Sequence, residues 1–218
     1  MKGLFIKDLR LMMMQKRFFI MILLIAISMV AVTGDISFIV GYLTFICPLF
    51  CISTISYDEF DNGYAFLFTL PIQKKDYVKE KYAFALTLAI GSWLISMIMM
   101  MIYQTINSHS FLIYDDLLGS FVVLAIFAII FSILRPLKLK FGAEKSNIAQ
   151  MIVFGVTFVG AMLFIKLIDI LHIDLSPFVT FINQLSFVSI SLICLLISLL
   201  VIFISYQMSL HIMQKKEF

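Results

Sequence analysis

Six apolar runs organise this chain, at residues 18–32, 36–56, 82–106, 117–134, 148–165 and 185–206. Most approach the roughly 20 residues an α-helix needs to cross a hydrocarbon core. The first is shorter and gains a turn if Lys16 and Arg17 snorkel to the headgroups. Backbone groups in lipid must be satisfied within the segment, so every run predicts a helix. The expected fold is therefore all-α: a polytopic membrane protein with six transmembrane helices. Residues 1–17 stand apart from this pattern. Phe5, Leu9 and Met12 fall at helical spacing, opposed by Lys2, Lys7, Arg10, Lys16 and Arg17. That predicts an amphipathic interfacial helix on the inner leaflet, although the same residues also read as a basic topogenic tail. Residues 18–218 read as a single six-helix transmembrane domain.

The longest polar connection joins the second run to the third, and its charged segment covers residues 57–81. Ser56 and Glu59 have capping-box spacing, with Asp58 and Glu59 at the favourable end of a helix dipole. Tyr57, Phe60, Tyr64 and Leu67 then recur at three- and four-residue steps, while Asp58, Asp61 and Asn62 face elsewhere. A short amphipathic helix is expected there, weakened by Gly63 and stopped before Pro71. A second helix starts near Asp76, kept solvated by Asp76, Lys79, Glu80 and Lys81, and continues into the third span. Exposed aromatics on such a helix call for a partner. Acids near its start favour a protein over anionic lipid.

Composition agrees with a bilayer as solvent. Hydrophobic residues make up 62% of the 218 and charged residues 13%, far from the usual soluble balance. The net charge of +3 matters less than its placement. Of the 16 Lys and Arg residues, all but Lys166 fall on one side of a six-span arrangement. The positive-inside rule places that side, with both termini, in the cytoplasm. Five or seven spans would scatter the bases over both faces. The N-terminal run followed by "AVTGD" faintly resembles a cleaved signal peptide, but the next apolar run begins too soon and a tight hairpin reads better.

Catalytic chemistry finds few reagents. No G-x-x-x-x-G-K-[ST] occurs, and "GAEKS" at 142–146 lacks the second glycine and the spacing. Neither H-E-x-x-H nor G-x-S-x-G is present. His109, His172 and His211 stand alone near span borders. The spans hold no acid or base away from their boundaries, which disfavours intramembrane proteolysis and proton coupling. No metal site, cofactor or nucleic-acid partner is expected on this chain. Cys47, Cys51, Met97 and Met101 have one-turn spacing suited to soft metals, but methionine in so Met-rich a chain reads first as apolar filling. No disulfide framework is suggested by Cys47, Cys51 and Cys194, which all lie in apolar runs.

Within the last run Gln184, Ser191, Ser198 and Ser205 repeat every seven residues, with Cys194 on the same face. The stripe suits close helix packing or lines a pathway. Trp93 falls well inside the third run, so its indole N–H needs a neighbouring helix or pathway water. Pro48 predicts a kink in the second helix. Lys166, Asp169 and His172 cluster at the outer end of the fifth, as a local ion pair or an exit gate.

Two connections carry a family resemblance. Ser56-Tyr57-Asp58-Glu59, Thr69-Leu70-Pro71-Ile72, Lys74-Lys75 and Val78-Lys79-Glu80-Lys81-Tyr82 resemble the segment after the second helix of ABC-2-type transporter permeases, in their small six-span bacterial branch. Arginine often follows "LPI" there, where this chain has Gln73-Lys74-Lys75. Pro136, Lys140, Phe141, Gly142, Glu144 and Lys145 resemble the same family's "P-x-x-x-K-F-G-x-E-K" pattern. The resemblance implies a permease subunit of an ATP-driven exporter in a bacterial cell membrane. It implies a second permease chain, identical or not, and a separate cytoplasmic ATPase that carries the ATP and Mg. It further implies that the segment after the second span is a coupling helix, with Tyr57, Asp58, Glu59, Phe60, Asp61, Tyr64 and Leu67 facing the ATPase. Helices without fixed charge suit an amphipathic or hydrophobic substrate, and the family suggests a peptide. A different class of function, a non-transporting scaffold or sensor that binds a cytoplasmic protein through the same helix, uses the same residues.

Overall fold

The computed structural model describes residues 2–33, 37–60, 63–106, 113–170 and 185–216. Among them every regular element is a helix: α1 Lys2–Met14, α2 Lys16–Thr33, α3 Ser37–Glu59, α4 Gly63–Leu67, α5 Lys74–Ile106, α6 Ile113–Ile170 and α7 Phe187–Lys215. Among the described residues four stretches are long and apolar enough to cross a membrane: Ser37–Glu59, Lys74–Ile106, Asp116–Gly142 and Phe187–Lys215. A fifth is added if α1 and α2, bent by 63° at Gln15, count as one span. The remaining expected segment, 148–165, is helical and belongs to the second limb of α6.

Three local expectations change. Ser56 does not cap a helix, because α3 runs on to Glu59 and the Ser56 hydroxyl donates back to the Ile52 carbonyl. The apolar run of α3 continues into its polar end without a break, so the capping-box spacing falls inside a helix that is already formed. The short helix expected from Tyr57 onward is consequently divided: Tyr57 to Glu59 finish α3, while α4 holds only Gly63–Leu67. The connection at 135–147 is helical on both sides of Gly142, where the chain kinks between two limbs of α6 at φ 75° and ψ −177°. That φ lies where an L side chain is strained, which suits the only residue type without a Cβ.

Length explains the extent of α5. Its 33 residues give roughly 50 Å of helix, against a hydrocarbon core of about 30 Å. The first two turns, from Lys74 to Lys81, therefore extend the helix into the charged end of the bundle. Gln73 starts it, its carbonyl accepting from the Asp76 and Tyr77 amides at 2.9 and 3.1 Å.

Packing follows membrane logic. α6 packs most extensively against α7, and α3 against both α5 and α6. On α7 the buried residues are Ser191, Ser198, Ser205, Ser209 and Met213, whereas Leu192, Leu196, Leu199, Leu200 and Phe203 are exposed. Small polar residues let helix backbones approach, and leucines lose nothing by facing acyl chains. At the charged end a separate apolar cluster forms from Leu4, Ile55, Tyr64, Leu67, Tyr77, Val78, Tyr82, Leu139 and Met213. It joins α1, α3, α4, α5, α6 and α7 in one place.

Candidate functional site

That convergence carries a buried charge cluster. Lys81, on the second turn of α5, is 1% exposed. Its ammonium bonds to the Asp8 carboxylate of α1, lies 2.7 Å from Asp58 Oδ2 of α3 and donates to Thr54 Oγ1 at 3.0 Å. Lys7 of α1 pairs with the other oxygen of Asp58 and lies 3.3 Å from Asp8. Tyr77 donates its hydroxyl to Asp58 Oδ2 at 3.1 Å. Two ammonium groups thus meet two carboxylates, with the Thr54 and Tyr77 hydroxyls as further partners, while Asp8 Oδ1 has no hydrogen-bond partner among the described residues. Charges removed from water persist only when paired and hydrogen-bonded in this way.

Sequence reasoning expected Lys81 and Glu80 to be solvated, and both are buried. The reason is α1: its fold onto α3 and α5 covers that face. Asp8, the one acid among residues 1–17, was the available signal, because a purely interfacial helix has no use for a carboxylate on its apolar side. Glu80 is 2% exposed, and neither carboxylate oxygen has a hydrogen-bond partner among the described residues.

A second set of contacts ties the end of α7 to the end of α3. Lys216 Nζ lies 3.3 Å from Glu59 Oε1, donates to the Leu139 carbonyl at 3.4 Å and sits 5.0 Å from the centre of the Tyr64 ring. Lys74 in turn donates to the Lys216 carbonyl at 2.6 Å. The Glu59 carboxylate rests against Gly142, where an added Cβ would overlap it. Burial, then the neighbouring acids Glu59 and Asp58, hold the Tyr64 hydroxyl well above the usual phenol range, against the opposing hydrogen bond with Tyr77. Tyr64 also stacks on Phe68 and meets Tyr77 edge-on at 5.7 Å.

These contacts sort the sequence-predicted residues into two groups. Tyr57 and Phe60 are 51% and 71% exposed, and Phe66, which periodicity did not select, is 73% exposed. Tyr64 and Leu67 are 4% and 8% exposed and serve the internal cluster. Asp58 is enclosed by Lys7, Lys81 and Tyr77, and Glu59 is shared with Lys216 and Gly142. Asp61 lies outside the described residues. Tyr57 alone of the exposed group is fixed by a polar contact, its hydroxyl accepting from Gln15 Nε2 at 2.9 Å. The result is an exposed aromatic rim of Tyr57, Phe60 and Phe66 beside the paired charges of Lys7, Lys81, Asp8 and Asp58.

Within the membrane-length part, Ser191 and Ser198 are buried on α7 and donate to carbonyls of their own helix. Ser205 donates to the Ser132 carbonyl of α6, and the Tyr82 hydroxyl bridges Ser205 and Ser209. Cys194 on the same helix is half-buried and free. Gln184 lies outside the described residues, as do His172 and the side chain of Asp169. Trp93 packs on Phe121 with ring centres 4.9 Å apart, and its indole N–H has no partner among the described residues. Arg135 is buried over the Tyr82 ring at 4.7 Å. Among the described residues no group of His, Cys, Asp and Glu is placed to hold a metal.

The family model described as "ABC-2 family transporter protein" matches residues 3–214. No curated protein matches the chain, and no solved structure does.

Proposed function

Because the chain belongs to the ABC-2 family of transporter proteins and is a membrane permease of that family, we propose that it is the transmembrane subunit of an ATP-driven exporter, energised by a separate cytoplasmic ATPase that docks on the rim of Tyr57, Phe60 and Phe66. The observation that carries this reading is the exposure of those three aromatics beside a buried, paired charge cluster. Solvent-facing aromatic clusters are costly unless a partner covers them. The charged end of the bundle connects the rim to the membrane directly: Asp58 and Glu59 end α3, Lys81 lies on the second turn of α5, and Glu59 touches the Gly142 kink of α6. A push on the rim is therefore delivered to three long helices at once.

The rest of the reading follows the same line. Six spans, with the 148–165 segment as the fifth, put both termini and the rim in the cytoplasm under the positive-inside rule. Two permease chains, the same or different, form one pathway in a bacterial cell membrane. ATP and Mg reside on the ATPase, since this chain has no phosphate-cradling loop. The substrate is amphipathic or hydrophobic, in keeping with helices that carry no charge at mid-membrane, and a peptide fits that description.

The test is reconstitution with the ATPase that co-purifies. Tyr57→Asp with Phe60→Asp, and separately Phe66→Asp, are expected to release the ATPase and abolish substrate-stimulated hydrolysis while the permease still elutes as a folded species. Undiminished binding by all three substitutions together would overturn the docking surface. An ATPase that binds yet never responds to any substrate would favour a scaffold instead.

A further inference from the structure

The Gly142 kink opens a groove that the coupling reading leaves unused. It has a volume of about 920 Å³ and lies between the two limbs of α6 and the C-terminal half of α7. Pockets that hold small organic ligands span roughly 300–1,000 Å³, so this one is large enough for an extended chain. Ile133 and Leu137 line it from the first limb, Ile148 and Ile152 from the second, and Ile204 and Met208 from α7. Its polar lining is confined to Ser132, Ser205, Lys140 and Lys145. The two serines are consumed at the floor, where Ser205 donates to the Ser132 carbonyl. Both lysines are exposed, and neither forms an ion pair among the described residues. Among the described residues no acid lines the groove. Lys140 and Lys145 flank Gly142 in sequence, so the charge gathers at the kink while the oil lies along the limbs.

We propose that this groove binds an anionic phospholipid, with an acyl chain along Ile148, Ile152, Ile204 and Met208 and its phosphate against Lys140 and Lys145. The charge pattern selects this occupant. A zwitterionic lipid would leave two ammonium groups without net compensation. A second copy of the chain, seated groove on groove about a two-fold axis, would bring four lysines together with no acid from the lining to meet them. The kink is on the basic side of the chain, which the positive-inside rule assigns to the cytoplasm, and anionic lipids are concentrated in that leaflet. The proposal needs no ATPase and stands or falls separately from the docking rim.

The experiment uses the purified full chain in mixed micelles with phosphatidylglycerol bearing a photoactivatable acyl chain, and in parallel the matching phosphatidylcholine. Adducts are mapped by mass spectrometry, without nucleotide or partner. Phosphatidylglycerol is expected to label α6 and α7 residues of the groove well above phosphatidylcholine. Lys140→Gln and Lys145→Gln should each lower that preference about fivefold, the effect of one basic residue near an anionic surface. Ile204→Trp, which fills the groove and spares the lysines, should lower labelling by both lipids. Equal labelling of the wild type by the two lipids, or an unchanged preference in the double lysine variant, would overturn the proposal. So would efficient disulfide cross-linking between copies through Met208→Cys in native membranes, which would assign the groove to a second chain.

Discussion

Lys81 and Asp58 lie 2.7 Å apart across α5 and α3, each almost fully buried, at the place where the two helices leave their membrane-length parts. Asp8 and Lys7 complete the group from α1. Breaking such a cluster from one side differs from removing it whole. Lys81→Ala leaves two carboxylates buried with one ammonium and is expected to cost about 3–5 kcal/mol. The double change Lys81→Met with Asp8→Asn keeps the Lys7–Asp58 pair, removes the uncompensated charge and should recover most of that loss. Thermal unfolding in detergent of both variants, beside wild type, decides it.

Gly142 combines a left-handed backbone with a carboxylate packed on its missing side chain. Gly142→Ala therefore meets two penalties, the strained φ and the Glu59 overlap, and should destabilise by about 1–3 kcal/mol. Pairing it with Glu59→Ala relieves only the second. A double-variant cycle in unfolding free energy should show partial, not full, rescue; complete rescue would mean that the backbone angle carries no cost.

The α7 stripe is expected to tolerate smaller residues and resist larger ones. Ser198 is buried where α7 meets its neighbours, so Ser198→Leu overpacks the contact and should cost about 1–3 kcal/mol, although it raises hydropathy. Tyr82→Phe removes a hydroxyl that serves both Ser205 and Ser209 and should cost about 1 kcal/mol. Resistance to detergent-induced unfolding, measured for both, checks the order.

Lys216 makes several contacts, yet it and Glu59 are both partly in solvent, which weakens their attraction. Lys216→Ala should change stability by no more than about 1 kcal/mol, in line with exposed pairs. Its consequence is expected in the conformation around Tyr64. Hydrogen–deuterium exchange should rise at 63–67 in this variant, with the rest of the bundle unchanged.

The helices, the membrane as solvent and the asymmetry of basic residues were legible in the order of the residues, because each depends on local composition: a run of apolar residues has few alternatives to a helix in lipid, and Lys and Arg mark a side by their number alone. The two connections that drew attention, 57–81 and 135–147, also hold Lys81, Asp58, Glu59 and Gly142, which meet at one end of the bundle. What they do there was decided only by tertiary structure. Spacing grouped Tyr57, Phe60, Tyr64 and Leu67 on one face, but α3 continues to Glu59 and α4 starts afresh at Gly63, so the register is lost between them. Tyr64 and Leu67 turn inward as a result, and Phe66 turns outward. Lys81 and Glu80 read as solvated until α1, distant in sequence, covers them with Asp8. Periodicity describes one helix at a time. Which charges are buried, and which aromatics remain for a partner, depends on how separate helices meet, and that information appears only when residues 8, 58, 81, 142 and 216 are brought to the same end of the bundle.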